Sequence, residues 1–453
     1  MAKLPKVVSG FPEWLPEARR IEQQWLDIAR QIFESYGYAS INPSSVEEVS
    51  VISAKGDDVD KEIYALHRLK ADDNEKKDAR LALHFDMTVP MTRYVAQNYN
   101  NLTFPFKRYQ VQRAWRGERP QEGRYREFTQ ADIDVIDNDS VSLHFDAEMP
   151  KLVHKILSAI GLDEVRTHIN NRKILQGYYE GLEISEPTKV ISIVDKIDKI
   201  GPDGVSKLLQ SDLGLSEELA QRCLDLAKIK TFDSSFVEQV KALGVSNPML
   251  EEGLEELKFV MDSAATVQTG KVCADLSIAR GLDYYTGTVY EGKLADYPDF
   301  PTVFAGGRYD NLVGMFLKKK LPGVGISIGF TRIFGKMLKE GRLDLAEKCP
   351  TNVLVINDPN SDEAALNAKA ETLRDRGINV EVFHDSKVKT AKQIRYADRK
   401  GIAYVLFAGD TDNMKHIQSG EQVEVDLNSW EPADIGYQTR ILPSKKKSIK
   451  ALG

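Results

Sequence analysis

Two strand-like segments within residues 106–134, FKRYQVQRAWRGERPQEGRYREFTQADID, constrain this chain more than any other stretch. A short turn containing Pro120 and Gly123 joins them, so the stretch predicts a β-hairpin. Side chains alternate between the two faces of a strand. One face of the hairpin is mostly apolar and suited to packing on a core; it carries Tyr109, Val111, Trp115, Ala131, Ile133 and Val135.

The opposite face of the hairpin combines cations, anions, an amide and one aromatic ring. It carries Arg116, Glu118, Phe128, Gln130, Asp132 and Asp134. A plain solvated surface is the alternative interpretation, although a phenyl ring among fixed hydrogen-bond donors argues against it. The turn adds Arg119, Arg124 and Arg126, whose planar guanidinium groups suit phosphate. The pattern favours a sheet that binds a polyanion with an aromatic ring stacked beside it.

This hairpin resembles motif 2 of class II aminoacyl-tRNA synthetases, and RGERPQEGRYREFTQ is close to the version in the histidyl-tRNA synthetase family. The resemblance implies an α+β fold: the class II synthetase antiparallel sheet flanked by helices, an inserted helical domain and a C-terminal α/β anticodon-binding domain. It also implies ATP-dependent activation of L-histidine to histidyl-adenylate and transfer to the 3′ end of tRNA(His). ATP with Mg²⁺ would be a substrate, with no permanent cofactor.

The N-terminal region predicts a helix over residues 13–36, ended by Gly37, and then an extended strand in YASINPSSVEEVSV. In class II synthetases a long helix followed by a strand with a proline is motif 1, which builds the dimer interface. Ser44 stands where the family has that proline, and Pro43 lies one place earlier. The resemblance as a whole therefore predicts a homodimer.

Asp86, Met87 and Thr88 precede a predicted helix that begins near Val89. Thr88 can cap this helix, with Pro90 in its first turn, where a missing N–H is tolerated. The alternative is functional, with the Asp86 and Thr88 side chains holding an α-ammonium group by charge-assisted hydrogen bonds. In the family the matching carboxylate and threonine bind the amino group of histidine.

The string ARGLDYYTG resembles a signature of histidyl-tRNA synthetases that other class II enzymes lack. Arg280 precedes Gly281, where the backbone can pack closely and let the guanidinium enter a site. Tyr284 and Tyr285 offer hydroxyl groups and rings suited to an imidazole. Because neighbouring residues on a strand face opposite ways, one of these tyrosines is expected to be structural.

A strand entering a helix is predicted at residues 321–333, LPGVGISIGFTRI, which resembles motif 3. Arg332 would reach the far phosphates of ATP, and Thr331 stands where the family usually has Glu. Just before this segment, Gly306 and Gly307 would let a flat substrate lie against bare backbone. A tight turn is the alternative interpretation of the two glycines.

The resemblance divides the chain into five parts. They are residues 1–165 and 263–345 as the two parts of the catalytic domain, 166–262 as the inserted helical domain, 350–435 as the anticodon-binding α/β domain, and 436–453 as a basic tail. In the C-terminal part, strands and helices alternate, which predicts a small and mainly parallel α/β domain.

The resemblance also assigns the site residues. The catalytic set is Arg116, Arg280 and Arg332. The histidine-binding set is Asp86, Met87, Thr88, Arg116, Gln130, Asp134, Arg280, Tyr284 and Tyr285. The ATP-binding set is Arg116, Glu118, Arg124, Phe128 and Arg332. The set proposed to contact tRNA is Gln121, Lys392, Arg395 and Arg399, although the last three are equally plausible as solvated charges.

The composition sets the remaining limits. A net charge of −7 argues against a general electrostatic grip on nucleic acid and leaves room for local basic patches. Three well-separated cysteines, no apolar signal core and no run near the ~18 apolar residues of a membrane span predict a soluble cytoplasmic protein. The sequence has no metal-ligand cluster, Walker loop or Ser/His/Asp set.

Two other classes of protein compete with the enzyme. One is a catalytically inactive, histidyl-synthetase-like regulatory or histidine-sensing protein, and Thr331 is the feature that favours it. The other is a structural α/β protein with a polar sheet face. The retained arginines and the anticodon-like C-terminal part favour the enzyme.

Overall fold

The structure is a computed structural model of the 453-residue chain. It describes residues 5–53, 61–71, 79–265, 270–279, 281, 285–310, 314, 316–345 and 348–433. These residues form two compact units. The larger unit contains Leu26–Lys336, and the smaller unit contains Glu13–Trp25 and the described residues from Met337 onward. Within the described residues, no helix is long and apolar enough to cross a membrane.

The described strands are numbered in chain order. They are β1 (Ala39–Ser40), β2 (Val46–Glu48), β3 (Ala65–Leu66), β4 (Leu81–Leu83), β5 (Phe106–Trp115), β6 (Glu127–Ile136), β7 (Val165–Asn171), β8 (Lys230–Thr231), β9 (Val272–Asp275), β10 (Tyr285–Leu294), β11 (Phe304–Tyr309), β12 (Gly323–Ile328), β13 (Val353–Val355), β14 (Val380–Val382), β15 (Tyr404–Phe407), β16 (Asn413–His416) and β17 (Gln422–Glu424).

The described helices are also given in chain order. They are Pro16–Ser35, Val49–Ile52, Thr88–Asn98, His144–Ala159, Arg172–Gly181, Pro187–Val194, Ile197–Leu213, Glu217–Ala227, Phe236–Lys241, Pro248–Ala265, Phe330–Lys339, Glu363–Arg374 and Thr390–Lys400, with a 3₁₀ turn at Tyr99–Asn101.

The larger unit is built on a nine-stranded sheet in the order β1-β5-β6-β12-β11-β10-β7-β9-β8. Neighbouring strands are antiparallel except for β1 with β5 and β7 with β9, which are parallel. This confirms the expected antiparallel sheet flanked by helices. A small sheet of β2, β4 and β3 lies in the same unit.

The hairpin predicted from the sequence forms two adjacent strands of this sheet, the second and third in its order. Strands β5 and β6 pair along their whole length, from Phe106 opposite Ile136 to Trp115 opposite Glu127. The apolar face is in the core, where Ala131 and Ile133 are fully buried. The turn between the strands contains Gly123 with φ +75°, a conformation that glycine adopts without strain.

The N-terminal region departs in part from its prediction. The helix is present as Pro16–Ser35, and its apolar stripe is buried. The single extended strand expected after it is wrong, because the chain forms only β1 and β2 there and then a short helix, Val49–Ile52. Pro43 lies between the two short strands and has no N–H to donate to a ladder, which explains the interruption.

The region between β7 and β9 is mainly helical, as predicted. The inserted domain predicted at residues 166–262 nevertheless begins with β7, a strand of the large sheet, and its helices begin only at Arg172. The Asn171 side chain caps the first helix by accepting from the Lys173 N–H at 2.9 Å.

The smaller unit contains a five-stranded sheet in the order β14-β13-β15-β16-β17. Strand β13 is parallel to β14 and β15, whereas β16 and β17 add antiparallel pairings. The alternation of strands and helices is confirmed. The expectation of a mainly parallel sheet is wrong, because the chain returns from β15 to β16 by a short turn, which can connect only antiparallel strands. The predicted basic tail lies outside the described residues.

Candidate active site

A cavity of about 670 Å³ lies in the larger unit, on the polar face of the central strands. Its walls come from β6, β10, β11 and β12, from the turn after β5, from residues 298–303 and from the start of three helices. It brings together most of the predicted site residues, namely Asp86, Thr88, Arg116, Glu118, Arg124, Phe128, Gln130, Asp134, Tyr285 and Arg332. The arginines of motifs 2 and 3, which are far apart in the sequence, therefore share one cavity.

Other predicted residues lie elsewhere. Met87 is fully buried and does not line the cavity, so a direct contact between its side chain and histidine is not supported. Gln121 is exposed on the hairpin turn, outside the cavity lining. Lys392, Arg395 and Arg399 are exposed on one helix of the smaller unit. Two further predictions, Arg280 and Tyr284, fall outside the described residues.

Asp134 is a buried carboxylate held from two sides. The fully buried Arg108, opposite it on β5, forms an ion pair with its Oδ2, and the Tyr309 hydroxyl donates to its Oδ1 at 3.0 Å. Burial raises the pKa of Asp134 to about 6, even though Arg108 opposes this. Sequence reasoning did not assign a role to Arg108. Its place in the alternation, on the polar face of β5, was the signal that could have found it.

Gly325 makes room for this carboxylate. It lies opposite Asp134 in the pairing of β12 with β6, and a Cβ added at Gly325 would be 2.1 Å from Asp134 Oδ1. A side chain of any size would therefore displace the carboxylate. The glycine is needed at this position because a charged side chain crosses over its backbone.

Gly325→Ala is accordingly expected to displace the Asp134 carboxylate and to lower stability by about 1–3 kcal/mol through overpacking. Urea denaturation measures the loss of stability. Gly409→Ala is the matched control, because a Cβ there would meet nothing nearer than 3.6 Å. A Gly325→Ala variant as stable as the unmodified protein would contradict the role given to the glycine.

Arg116 is held between two aromatic rings. Its guanidinium carbon lies 4.3 Å from the centroid of Phe85 and 5.1 Å from that of Phe128, and its Nε donates to the Phe85 carbonyl at 3.3 Å. Glu118 lies 3.9 Å from Arg116 Nη1 and 3.3 Å from Arg124 Nη1. The two arginines of motif 2 thus flank a single carboxylate. No pattern in the sequence indicated a role for Phe85, which precedes the predicted helix.

Arg332 joins the motif 3 helix to the hairpin turn. Its Nε donates to the Gly123 carbonyl at 2.6 Å, and its Nη1 donates to the Thr302 carbonyl. The preceding Thr331, which stands where the family usually has Glu, accepts from the Thr129 N–H at 2.8 Å. Thr331 therefore fixes the start of this helix against β6, and Arg332 is placed at the cavity as a result.

Asp86, and not Thr88, caps the helix Thr88–Asn98. Asp86 Oδ1 accepts from the N–H groups of Thr88 at 3.1 Å and Val89 at 3.2 Å. The prediction that Thr88 is the cap is wrong, because Thr88 is already the first helical residue. A carboxylate reaches these two N–H groups and also favours the positive end of the helix dipole. Both side chains still line the cavity.

Gly306 and Gly307 lie within β11, so the alternative of a tight turn is wrong. A Cβ at Gly306 would be 2.1 Å from the Gly325 carbonyl oxygen, and one at Gly307 would be 2.7 Å from the Tyr285 ring. The bare backbone at Gly307 therefore receives the ring of Tyr285. This places Tyr285 at the cavity wall.

Comparison with known proteins identifies the family. A family model described as histidyl-tRNA synthetase matches residues 10–333, and one described as an anticodon binding domain matches residues 352–431. The histidine–tRNA ligase of Thermobifida fusca is 52% identical over 430 residues, covering 94% of this chain and 98% of that protein.

Solved structures resemble this chain in the same way. The crystal structure of histidyl-tRNA synthetase from Nostoc sp. superposes with a TM-score of 0.84 at 36% identity, covering 93% of this chain and 97% of that one. A Bacillus halodurans structure described as an ATP phosphoribosyltransferase regulatory subunit/histidyl-tRNA synthetase shares the fold, with a TM-score of 0.72 at 18% identity over 88% of this chain and 97% of that one. This chain therefore belongs to the histidyl-tRNA synthetase family.

Proposed function

We propose that this protein is a histidine–tRNA ligase. It activates L-histidine with ATP to give histidyl-adenylate and pyrophosphate, and it then transfers the histidyl group to the 3′ end of tRNA(His). The observation that carries this proposal is the cavity in which Arg116, Arg124 and Arg332 meet a buried acidic group, Asp134. Such a site suits a substrate with several phosphates beside a small polar amino acid.

The first step forms a bond between a carboxylate oxygen of histidine and the α-phosphorus of ATP. The bond from that phosphorus to the β-phosphate oxygen breaks, and pyrophosphate leaves. No proton needs to be moved, so alignment and charge neutralisation are the main demands. Arg116 and Arg280 are assigned to the α-phosphate and the substrate carboxylate. Arg124 and Arg332 are assigned to the outer phosphates, which bring Mg²⁺ with them as part of the substrate.

The adenine is assigned to Phe128 and Glu118. One face of the Phe128 ring already contacts the Arg116 guanidinium, so the adenine would stack on the other face. Glu118 would accept from the adenine amino group. Its carboxylate lies between the two motif 2 arginines, and carboxylate oxygens accept hydrogen bonds.

Histidine is assigned to the opposite end of the cavity. Asp134 would accept from an imidazole N–H, with Tyr285 and Tyr284 beside the ring. Asp86, Thr88 and Gln130 would bind the α-ammonium group. A site that hydrogen-bonds a polar side chain can reject analogues lacking it by ~10⁴-fold or more, so no editing site is required.

The second step and the partners follow from the same proposal. The terminal ribose hydroxyl of the tRNA attacks the carbonyl carbon of the adenylate, the bond from that carbon to the phosphate oxygen breaks, and AMP leaves while its phosphate takes up the hydroxyl proton. Gln121 on the hairpin turn is assigned to the acceptor end, where the RNA is unpaired and accessible. Lys392, Arg395 and Arg399 are assigned to the anticodon region. The family further supports a homodimer and a cytoplasmic location.

The decisive experiment is histidine-dependent exchange of labelled pyrophosphate into ATP, followed by charging of tRNA(His). Exchange with L-histidine and with no other amino acid, together with formation of histidyl-tRNA, is the expected result. Histidine binding without exchange would reject the enzyme in favour of a histidine-binding regulatory protein. Exchange without charging would limit the proposal to the first step.

A further inference from the structure

A short relay of side chains runs across β6 and β12 beside the cavity. Gln130 Nε2 lies 2.6 Å from Ser327 Oγ, and Ser327 Oγ lies 2.5 Å from Asp132 Oδ1. Ser327 and Asp132 are direct partners in the strand pairing, and all three residues line the cavity. The roles assigned above use Gln130 but leave Ser327 and Asp132 without a function.

The protonation state of Asp132 decides which atom donates in each hydrogen bond of this relay. An ionised carboxylate only accepts, and a serine hydroxyl has one proton to donate. When Asp132 is ionised, the Ser327 proton must point to Asp132, so Ser327 Oγ can only accept from its other neighbour. The Gln130 amide must then turn its nitrogen toward Ser327.

This orientation leaves the amide oxygen of Gln130 with nothing to accept. Gln130 Oε1 is buried and has no hydrogen-bond partner among the described residues. A buried acceptor without a donor is unfavourable and is normally satisfied by a ligand or by water. The α-ammonium group of an amino acid has only donors, so it complements an oxygen and repels an amide N–H.

We propose that Asp132 and Ser327 are positioning residues that lock the Gln130 amide with its oxygen available to the α-ammonium group of histidine. The inference rests on the proposed function, because it specifies how that site selects the amino end of its substrate. Asp132 and Ser327 act through Gln130 and do not themselves touch the substrate.

The relay can be reversed by protonating Asp132. Burial raises the pKa of Asp132 to about 7; Arg108 on β5 and the hydrogen bond from Ser327 on β12 lower it, whereas Asp134 on β6 and Asp86 before the helix raise it. A protonated Asp132 donates to Ser327, which then donates to Gln130 Oε1. The oxygen is thereby occupied, so affinity for an ammonium group should fall as the pH drops below about 7.

The test compares two competitive inhibitors of histidine-dependent exchange at pH 8. Histidinol keeps the ammonium group but lacks the carboxylate, and imidazolepropionate lacks the ammonium group. Ser327→Ala is expected to raise the histidine KM and the histidinol inhibition constant by about tenfold, the effect of one hydrogen bond to a charged group. The inhibition constant of imidazolepropionate and the KM for ATP should change by less than about twofold, since neither ligand uses that hydrogen bond.

Two further variants complete the comparison. Ser327→Thr keeps the hydroxyl group and is expected to recover most of the affinity for histidine. Ser211→Ala, an exposed serine on the helix Ile197–Leu213, is the control for serine removal. Equal changes for both inhibitors in Ser327→Ala, or no change for either, would overturn the relay while leaving the proposed function intact. Absence of exchange in the unmodified protein would instead reject the proposed function.

A second measurement avoids the risk that Ser327→Ala fails to fold. In the unmodified protein, the ratio of the histidinol to the imidazolepropionate inhibition constant should rise as the pH falls from 8 to about 6. The ammonium group of histidinol lowers the pKa of its imidazole relative to that of imidazolepropionate, so each inhibition constant is corrected for protonation of the free inhibitor before the ratio is taken. A ratio that stays flat over this range would also overturn the proposal.

Discussion

Arg116→Ala is expected to lower the rate of histidine-dependent ATP–pyrophosphate exchange by ~10²-fold or more, the usual effect of removing one donor that stabilises developing charge. Arg116 is the residue best placed for this role. Its guanidinium lies at the cavity, and the rings of Phe85 and Phe128 restrict its movement. A donor held in advance does not have to be ordered when the transition state forms.

The same substitution is expected to have little effect on stability. The Arg116 side chain is 26% exposed, and its nearest carboxylate, Glu118, keeps Arg124 as a partner at 3.3 Å. No buried charge is therefore left without a partner. Thermal melting of Arg116→Ala should stay close to that of the unmodified protein.

Arg119→Ala is the matched control for this prediction. Arg119 belongs to the same turn but is exposed and does not line the cavity. The exchange reaction does not involve tRNA, so a role of Arg119 in RNA binding would not affect it. Equal losses of exchange in Arg116→Ala and Arg119→Ala would show that charge on the turn matters in general and would contradict a specific role for Arg116.

Arg108→Met should have the largest effect on stability, about 3–5 kcal/mol, because breaking a buried ion pair leaves its partner uncompensated. The Arg108 side chain is 1% exposed and forms its ion pair with Asp134. Its charge also opposes the rise in the pKa of the nearby Asp132. Methionine fills a similar volume, so the lost charge and not a cavity is the main change.

The loss should be larger at pH 8 than at pH 5. A carboxyl group with a folded-state pKa above its unfolded value binds more protons when folded, so its contribution to stability falls as the pH rises between those two values. In the unmodified protein this pH window runs from about 4 to about 6 for Asp134 and from about 4 to about 7 for Asp132. Removing Arg108 raises the folded-state pKa of both carboxyl groups and therefore widens the pH range over which they destabilise the folded protein.

Urea denaturation at the two pH values measures this effect, and Arg113→Met is the control. Arg113 lies on the same strand, but its side chain is 60% exposed and pairs with Glu127 at 3.0 Å. Surface ion pairs of this kind contribute about 0–1 kcal/mol. A loss in Arg108→Met no greater than in Arg113→Met, or a loss independent of pH, would contradict the role given to the buried pair.

The sequence alone determined those helices and strands whose pattern comes from residues close together along the chain. The alternation along residues 106–134 defined the hairpin and separated its apolar face from its polar face. The helix Pro16–Ser35 and the strand–helix segment at residues 321–333, which contains Arg332, were predicted equally well. In each case the signal is the period of apolar residues, which local backbone geometry sets.

The arrangement within the cavity was decided only by the tertiary structure. Arg108, Tyr309 and Gly325 surround Asp134 because β6 pairs with β5 on one side and with β12 on the other. A shift of one residue in either pairing would turn every facing side chain to the opposite face. Register between distant strands depends on the packing of the whole sheet, and no local pattern encodes it.

The choice of hydrogen-bond partner was also left to the tertiary structure. The sequence at positions 86 and 88 is equally consistent with a helix cap and with ligands for an α-ammonium group. Only the fold showed that Asp86 accepts hydrogen bonds from the backbone N–H groups at the start of the helix. Ser327 carried no signal at all until β12 placed it beside Asp132. The sequence determined which side chains are available, and the long-range strand pairing determined which of them meet, because a hydrogen bond requires two atoms within about 3 Å whatever their separation along the chain.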